Sequence, residues 1–167
     1  MGHEGSYGVS GVYLDDIHSS TEIYGNIFYN VARAVLVGGG RDNRIENNLI
    51  LEAPNSSTAS VVIDARGLES WFQANLDPDT GIVYEHLSKV PWQSEIWTTK
   101  YPKLAVMFEN APKEPRGNVV KNNVIYNHKD MSIPSIVEKY GEVKDNYITD
   151  YEDIGFVDYE GKDFRLR

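Results

Sequence analysis

The chain contains no cysteine, so neither a disulfide nor a thiolate metal site is available, and the redox compartment stays open. No stretch of 18 apolar residues occurs, which excludes a membrane-spanning helix read from hydropathy. Cations are scarce: 16 Lys and Arg face 25 Asp and Glu, for a formal charge of −9. That balance argues against nucleic acid and anionic membranes as partners, and against unassisted binding of polyuronates. The opening Met1-Gly-His-Glu-Gly-Ser lacks the charged-then-apolar pattern of a signal peptide. There is no phosphate loop, no Gly-x-Ser-x-Gly elbow and no His-Glu-x-x-His, and His3, His18, His86 and His128 show no ligand spacing. Asp77-Pro-Asp-Thr-Gly81 is shorter than a calcium loop and reads as a turn. Asn55-Ser56-Ser57 matches a glycosylation sequon and marks a surface loop.

What is present is a repeat. Thr21–Asn30, Asn43–Glu52, Asn118–Asn127 and Gly141–Asp150 share one pattern: an aliphatic residue (Ile23, Ile45, Val120, Val143) three positions before an asparagine (Asn26, Asn48, Asn123, Asn146). Asn26 to Asn48 spans 22 residues and Asn123 to Asn146 spans 23. Fixed periods of this size signal a solenoid. Short alternating runs rich in β-branched and aromatic residues, punctuated by Gly and Asn, make its elements strands. Asparagine suits the turns because it tolerates left-handed dihedrals, and stacked asparagines can bond from rung to rung.

Alternation in 8–16, 33–38 and 60–66 makes these the rungs of one sheet, with Val12, Val35 and Val61 in one inward column and Leu14, Val37 and Ile63 in another. Ile23, Ile45, Val120 and Val143 form a third column, and Ile27, Leu49 and Val124 a fourth, which Tyr147 fits loosely. The expected fold is an all-β solenoid, a right-handed parallel β-helix of about four coils, spanning residues 1–167 as one domain. Residues 67–116 interrupt the third coil as a mainly helical insertion packed outside it. Helices are expected over 68–76 and 82–90, with a third opened by Pro91 and running to Thr99 and a further turn over 103–110. The insertion holds Trp71, Trp92 and Trp97 with Phe72, Tyr84, Tyr101 and Phe108. These aromatics either bury the insertion against the flank or stack on sugar rings at a groove edge. Ile133–Tyr140 and Val143–Asp150 make the fourth coil, and in the closing segment 151–167 a last strand from Asp153 is followed by a polar tail. Strand residues begin at Tyr7 or Gly8, so the first rung is uncapped. It needs either further coils of a longer protein or a second copy packed end to end, a homodimer.

Gly11-Val-Tyr-Leu-Asp-Asp16, Gly38-Gly-Gly-Arg-Asp-Asn43, the segment from Trp97 to Pro102 and the closing Gly161-Lys-Asp-Phe-Arg-Leu166 carry a family resemblance. The chain resembles the right-handed parallel β-helix proteins of the pectate-lyase-like superfamily, and within it the C-terminal part of bacterial polysaccharide-degrading enzymes. The resemblance implies a carbohydrate-active protein with a polysaccharide or oligosaccharide partner and a secreted or periplasmic location.

Aligned rungs place Asp15, Gly38 and Asp64 at equivalent outward positions. Carboxylates two rungs apart lie about 9.5 Å from each other, since strands are roughly 4.8 Å apart. Inverting glycosidases hold their carboxyl pair about 6.5–9.5 Å apart. The catalytic candidates are therefore Asp15 and Asp64, with Asp16 and Asp42 beside them. Gly38 leaves room for a sugar ring, and His18, Arg41, Arg66, Trp71, Trp92 and Trp97 are candidate substrate contacts. The competing reading makes these acids solvated, or ion-pair partners of Arg41 and Arg66. A glycoside hydrolase on a plant-type glycan leads, with no metal ligand and no cofactor. A calcium-assisted polyuronate lyase is set back by a rim poor in Lys and Arg, and a non-catalytic binding or structural fragment stands as the alternative.

Overall fold

A computed structural model describes residues 9–53, 57–150 and 154–167, and within it each pass of the repeat becomes a string of short strands. The first pass is β1 (Ser10–Leu14), β2 (Glu22–Tyr24) and β3 (Ile27–Tyr29); the second is β4 (Arg33–Gly38), β5 (Arg44–Glu46) and β6 (Leu49–Leu51). The third opens with β7 (Val61–Asp64) and leaves for α1 (Ser70–Gln73), α2 (Ile82–Leu87), α3 (Glu95–Lys100) and α4 (Pro102–Ala105). It returns as β8 (Val119–Lys121) and β9 (Val124–Tyr126). The fourth runs α5 (Ser135–Tyr140), β10 (Glu142–Lys144) and β11 (Tyr147–Thr149), followed by β12 (Phe156–Asp158) and β13 (Asp163–Leu166).

Three sheets are parallel, in the orders β1-β4-β7, β10-β8-β5-β2 and β11-β9-β6-β3, and β12 pairs with β13 antiparallel. Equivalent repeat positions lie opposite one another: Val12 on Val35 on Val61, and Ile23 on Ile45 on Val120 on Val143.

The all-β solenoid does not form. Among the described residues strands hold 31% and helices 23%, no closed solenoid is present, and the fold is α/β: four mostly parallel sheets interspersed with helices. The fourth pass shows why. Pro134 has no N–H to give a strand ladder and sits at the N-cap of α5. A helix therefore stands where the first sheet would need a fourth strand, and only Ser132 makes a bridge, to Val62. Val137 of α5 is fully buried against the core. In the insertion, Pro91 does not open a helix; α3 begins at Glu95, and Pro102 occupies the first turn of α4. The chain's end is not a polar tail, because Phe156, Tyr159 and Phe164 pack on Leu51 and Tyr126. Tyr7, Gly8, Asn55 and Ser56 lie outside the described residues, as do residues 151–153 of the closing segment.

One core column is displaced by a residue. Phe28, Ile50 and Ile125 point inward, while Ile27 is exposed and Leu49 and Val124 are half-buried. The cause is the asparagine itself. Asn48 and Asn123 are fully buried, so each takes an inward slot and alternation turns its successor outward.

These asparagines form a ladder. Asn26 Nδ2 donates to Asn48 Oδ1 (3.0 Å), Asn48 Nδ2 to Asn123 Oδ1 (2.9 Å) and Asn123 Nδ2 to Asn146 Oδ1 (2.8 Å). Each Oδ1 also accepts the backbone N–H of the preceding ladder residue, at 3.0–3.1 Å. A second ladder stands at the other corner: Asn118 Oδ1 accepts from Asn43 N, and Asn43 Oδ1 from Thr21 N. The residue before each ladder position is left-handed: Gly25, Asn47, Asn122 and Asp145 at one corner, Ser20, Asp42 and Gly117 at the other.

Asn48 makes four ladder bonds, through Asn26 N and Nδ2, Ile23 O and Asn123 Oδ1. Stranding buried partners costs about 1–3 kcal/mol each. Asn48→Ala should therefore destabilise the fold by at least about 2 kcal/mol, and Asn26→Ala, at the partly exposed end, by clearly less. Urea unfolding of the two variants measures the difference.

Candidate functional site

The C-terminal ends of β1, β4 and β7 bring Asp15, Gly38 and Asp64 together, but a guanidinium lies among them. Arg66 Nε and Nη2 bond both oxygens of Asp64 (2.8–3.2 Å), and Nη1 bonds Asp15 (2.5 Å) and Asp16 (3.0 Å). The guanidinium lies directly over Gly38, where a Cβ would be 2.4 Å from Arg66 Cζ. The space read as room for a sugar ring holds Arg66. Burial opposes ionisation of Asp15, but the Tyr13 hydroxyl, the Asp16 N–H and Arg66 outweigh it and hold the carboxyl below its ordinary range. The Asp64 hydrogen bonds, against the opposing effect of burial, push the Arg66 guanidinium above its ordinary value.

The other candidates fall elsewhere. His18 bonds Thr21 Oγ1 through Nε2 (2.7 Å), and its carbonyl accepts from Asn43 Nδ2. Trp71 is exposed, edge-on to Phe72. Trp92 packs edge-on to Phe108, which stacks on Tyr84.

Arg41 and Asp42 line one cavity, and Trp97 a neighbouring one, at the seam between the sheets and the insertion. There a cavity of about 410 Å3 is lined by Ser19, Ser20, Arg41, Asp42, Lys103, Leu104, Arg116 and Tyr140 among others. A more apolar cavity of about 370 Å3 shares Ser19, Arg41, Leu104 and Met107 with it, and adds Ile17, Leu76, Val83 and Leu87. Another, of about 520 Å3, shares Ser20, Lys103 and Leu104, and adds Trp97, Lys100, Tyr101 and Pro102. Leu104 lines all three, so the three cavities adjoin one another around it and together are the seam groove.

The fold builds its floor from the second ladder. Ser20, Asp42 and Gly117 precede Thr21, Asn43 and Asn118 at the same left-handed position, so they stack at one rim. Gly117 suits its position because its φ of 72° is left-handed, and a Cβ there would in addition lie 2.3 Å from Asp42 Oδ1. Lys103 pairs with Asp42, and Arg116 bonds Glu114 and lies 4.0 Å over the Tyr140 ring. Ile17 at φ 58° is a β-branched residue in left-handed geometry, an outlier of the kind that clusters at functional sites. Its N–H is fixed to Gly38 O (2.7 Å). The stacked rim was readable from the repeat, which puts Ser20, Asp42 and Gly117 in one column. Lys103, Leu104 and Arg116 had no such signal, since the folding of the insertion brings them in.

Among the described residues no group of His, Cys, Asp and Glu is arranged to hold a metal ion, and no helix is long and apolar enough to cross a membrane. Comparison with family models, characterised proteins and solved structures finds no match, and nothing in it identifies the pectate-lyase-like superfamily.

Asp15 should make stability acid-sensitive. A depressed carboxyl contributes stability that is complete above its unfolded range and lost as pH falls through its folded range. The wild type should lose stability in acid, and Arg66→Gln, which removes the shared cation, should lose less over the same interval. At neutral pH, Arg66→Gln should cost about 1–2 kcal/mol, because three facing carboxylates lose their common partner. Urea unfolding at neutral and acid pH tests both.

Proposed function

We propose that this chain is a carbohydrate-binding protein whose seam groove holds an oligosaccharide. The observation that carries this reading is that three cavities adjoin at Leu104, since neighbouring cavities along one seam suit successive units of a chain-like ligand. Accessible aromatic surface beside hydroxyls and charged groups is what a sugar needs, apolar ring area for stacking and fixed polar partners for orientation, and Trp97 is half-buried and Tyr101 exposed. Trp97 and Tyr101 provide the first, 5.5 Å apart and tilted, and Ser19 and Ser20 contribute to the second.

Binding is favoured over hydrolysis at Asp15 and Asp64. An inverting hydrolase needs one protonated carboxyl group and open space for a water between the pair. Asp15 is held ionised, and Arg66 occupies the space between.

Calorimetric titration with neutral and acidic plant-type oligosaccharides tests the proposal. Trp97→Ala should weaken binding about tenfold or more, the effect of losing a buried aromatic anchor worth roughly 1.4 kcal/mol or above. Trp71→Ala, which lines none of the three cavities, should not. An unchanged affinity in Trp97→Ala would overturn the groove as the site. Release of reducing ends that disappears in Asp42→Asn would make the groove catalytic instead.

A further inference from the structure

Two corners of the stack are tied by amide ladders. At the third, where the chain passes from the third sheet back to the first, no such ladder forms among the described residues, and polar atoms are left over instead. Arg33 Nε, Ser60 Oγ and His128 Nδ1 are buried and make no hydrogen bond. Glu46 Oε1, the other buried atom of this kind among the described residues, lies on the second sheet and meets Arg44 as an ion pair (2.5 Å).

The backbone brings the three residues to one place. His128 Nε2 donates to Val31 O (3.0 Å), and Thr58 Oγ1 donates to Ala32 O (2.7 Å). The N–H groups of Ala34 and Val35 converge on Ser60 O (2.8 and 3.3 Å), and Ser60 N–H reaches Lys129 O and Asp130 O (3.3 and 3.2 Å). Residues 31–35, 58–60 and 128–130, one segment from each of three successive passes, thus close a ring of contacts around the corner.

Arg33 carries the charge. It is 8% exposed, and its guanidinium has no hydrogen bond or ion pair among the described residues. Arg41 meets backbone carbonyls, and Arg44, Arg66, Arg116 and Arg165 all meet carboxylates. The two acids that flank the corner are engaged elsewhere: Glu52 by Asn127 and the Tyr159 hydroxyl, and Asp130 by the Met131 N–H (2.5 Å). A buried cation without a partner is strongly unfavourable, and a buried hydroxyl and ring nitrogen without partners add to the cost. One negative charge inside the ring of contacts would relieve all of this. It would neutralise Arg33 and accept from Arg33 Nε–H and Ser60 Oγ–H. Because His128 Nε2 faces a carbonyl and so carries the proton, Nδ1 becomes a further donor in the imidazolium form. A dianion would leave excess charge buried, and atoms shut off from solvent admit only a small ligand.

We propose that this corner binds one small monovalent anion of halide size, with Arg33 as its counter-charge and Ser60 Oγ and His128 Nδ1 as further contacts. The ion does at the third corner what the asparagines do at the other two, joining three passes through one polar centre.

The test uses the whole chain in sodium gluconate, whose anion is too large for the corner, with chloride replacing it at constant ionic strength. In urea unfolding the folded-to-unfolded ratio should rise with chloride, about tenfold for each tenfold increase above the dissociation constant. Bromide should act as chloride does, and sulfate should not. Arg33→Met, which keeps an apolar stem and removes the charge, should lose the chloride dependence and be at least as stable as the wild type in gluconate. Ser60→Ala should keep the dependence with weaker affinity. Excess chloride NMR line width on the folded wild type, relieved by bromide, reads the site without any variant and covers the case in which Arg33→Met misfolds. Equal stability in chloride and gluconate with no excess line width overturns the proposal, the three atoms then being met by water. A chloride dependence that survives in Arg33→Met places the ion elsewhere and also overturns it. Equal destabilisation of Arg33→Met in both salts makes Arg33 a packing residue, with the same consequence.

Discussion

Buried amides hold the passes of this chain together. An asparagine side chain removed from water needs both its donors and its acceptor satisfied, and here the neighbouring passes satisfy them. Asn48 and Asn123 take the amide of one neighbour and give to the other, while each also closes a bond to the backbone of the preceding pass. A slip of one residue would strand every one of these groups at once. The register of the second and third sheets is thus enforced by polar satisfaction as well as by the apolar columns of Ile23, Ile45 and Val120.

The groove is a consequence of that register. The left-handed residue before each corner asparagine turns the chain the same way each time, so Ser20, Asp42 and Gly117 stack into a rim. Against this rim the insertion lays Lys103, Leu104 and Met107. Arg41 ties the two parts by bonding the carbonyls of Asn110 and Ala111. The insertion's own aromatic contacts, Tyr84 on Phe108 and Trp92 beside it, give it internal rigidity, so the groove wall is a packed body.

Charge is distributed in two opposite ways along the same edge. At the end of the first sheet, three carboxylates converge on Arg66, and the cluster is closed on itself. Around the seam cavities cations outnumber acids, with Arg41, Lys100, Lys103 and Arg116 against Asp42. The first arrangement fixes structure and offers little to a ligand.

Much of this was written in the sequence. The spacing of Asn26, Asn48, Asn123 and Asn146 determined parallel passes, the strand identities and the stacked asparagines, because a period of side chains translates directly into a column. The competing reading of Asp15 and Asp64 as ion-pair partners of nearby arginines was also legible, from arginine two residues past Asp64, whereas glycine at position 38 read as room for a sugar ring. Tertiary structure decided the rest. Pro134 opens a helix, α5, at the start of the fourth pass, so helix enters the fold outside the insertion as well as within it. The buried asparagine claimed an inward slot, which turned Ile27 outward and Phe28 inward. Above all, the groove depends on residues about 60 to 80 positions from the rim they face, and no local periodicity records a contact that only the folding of residues 67–116 brings about.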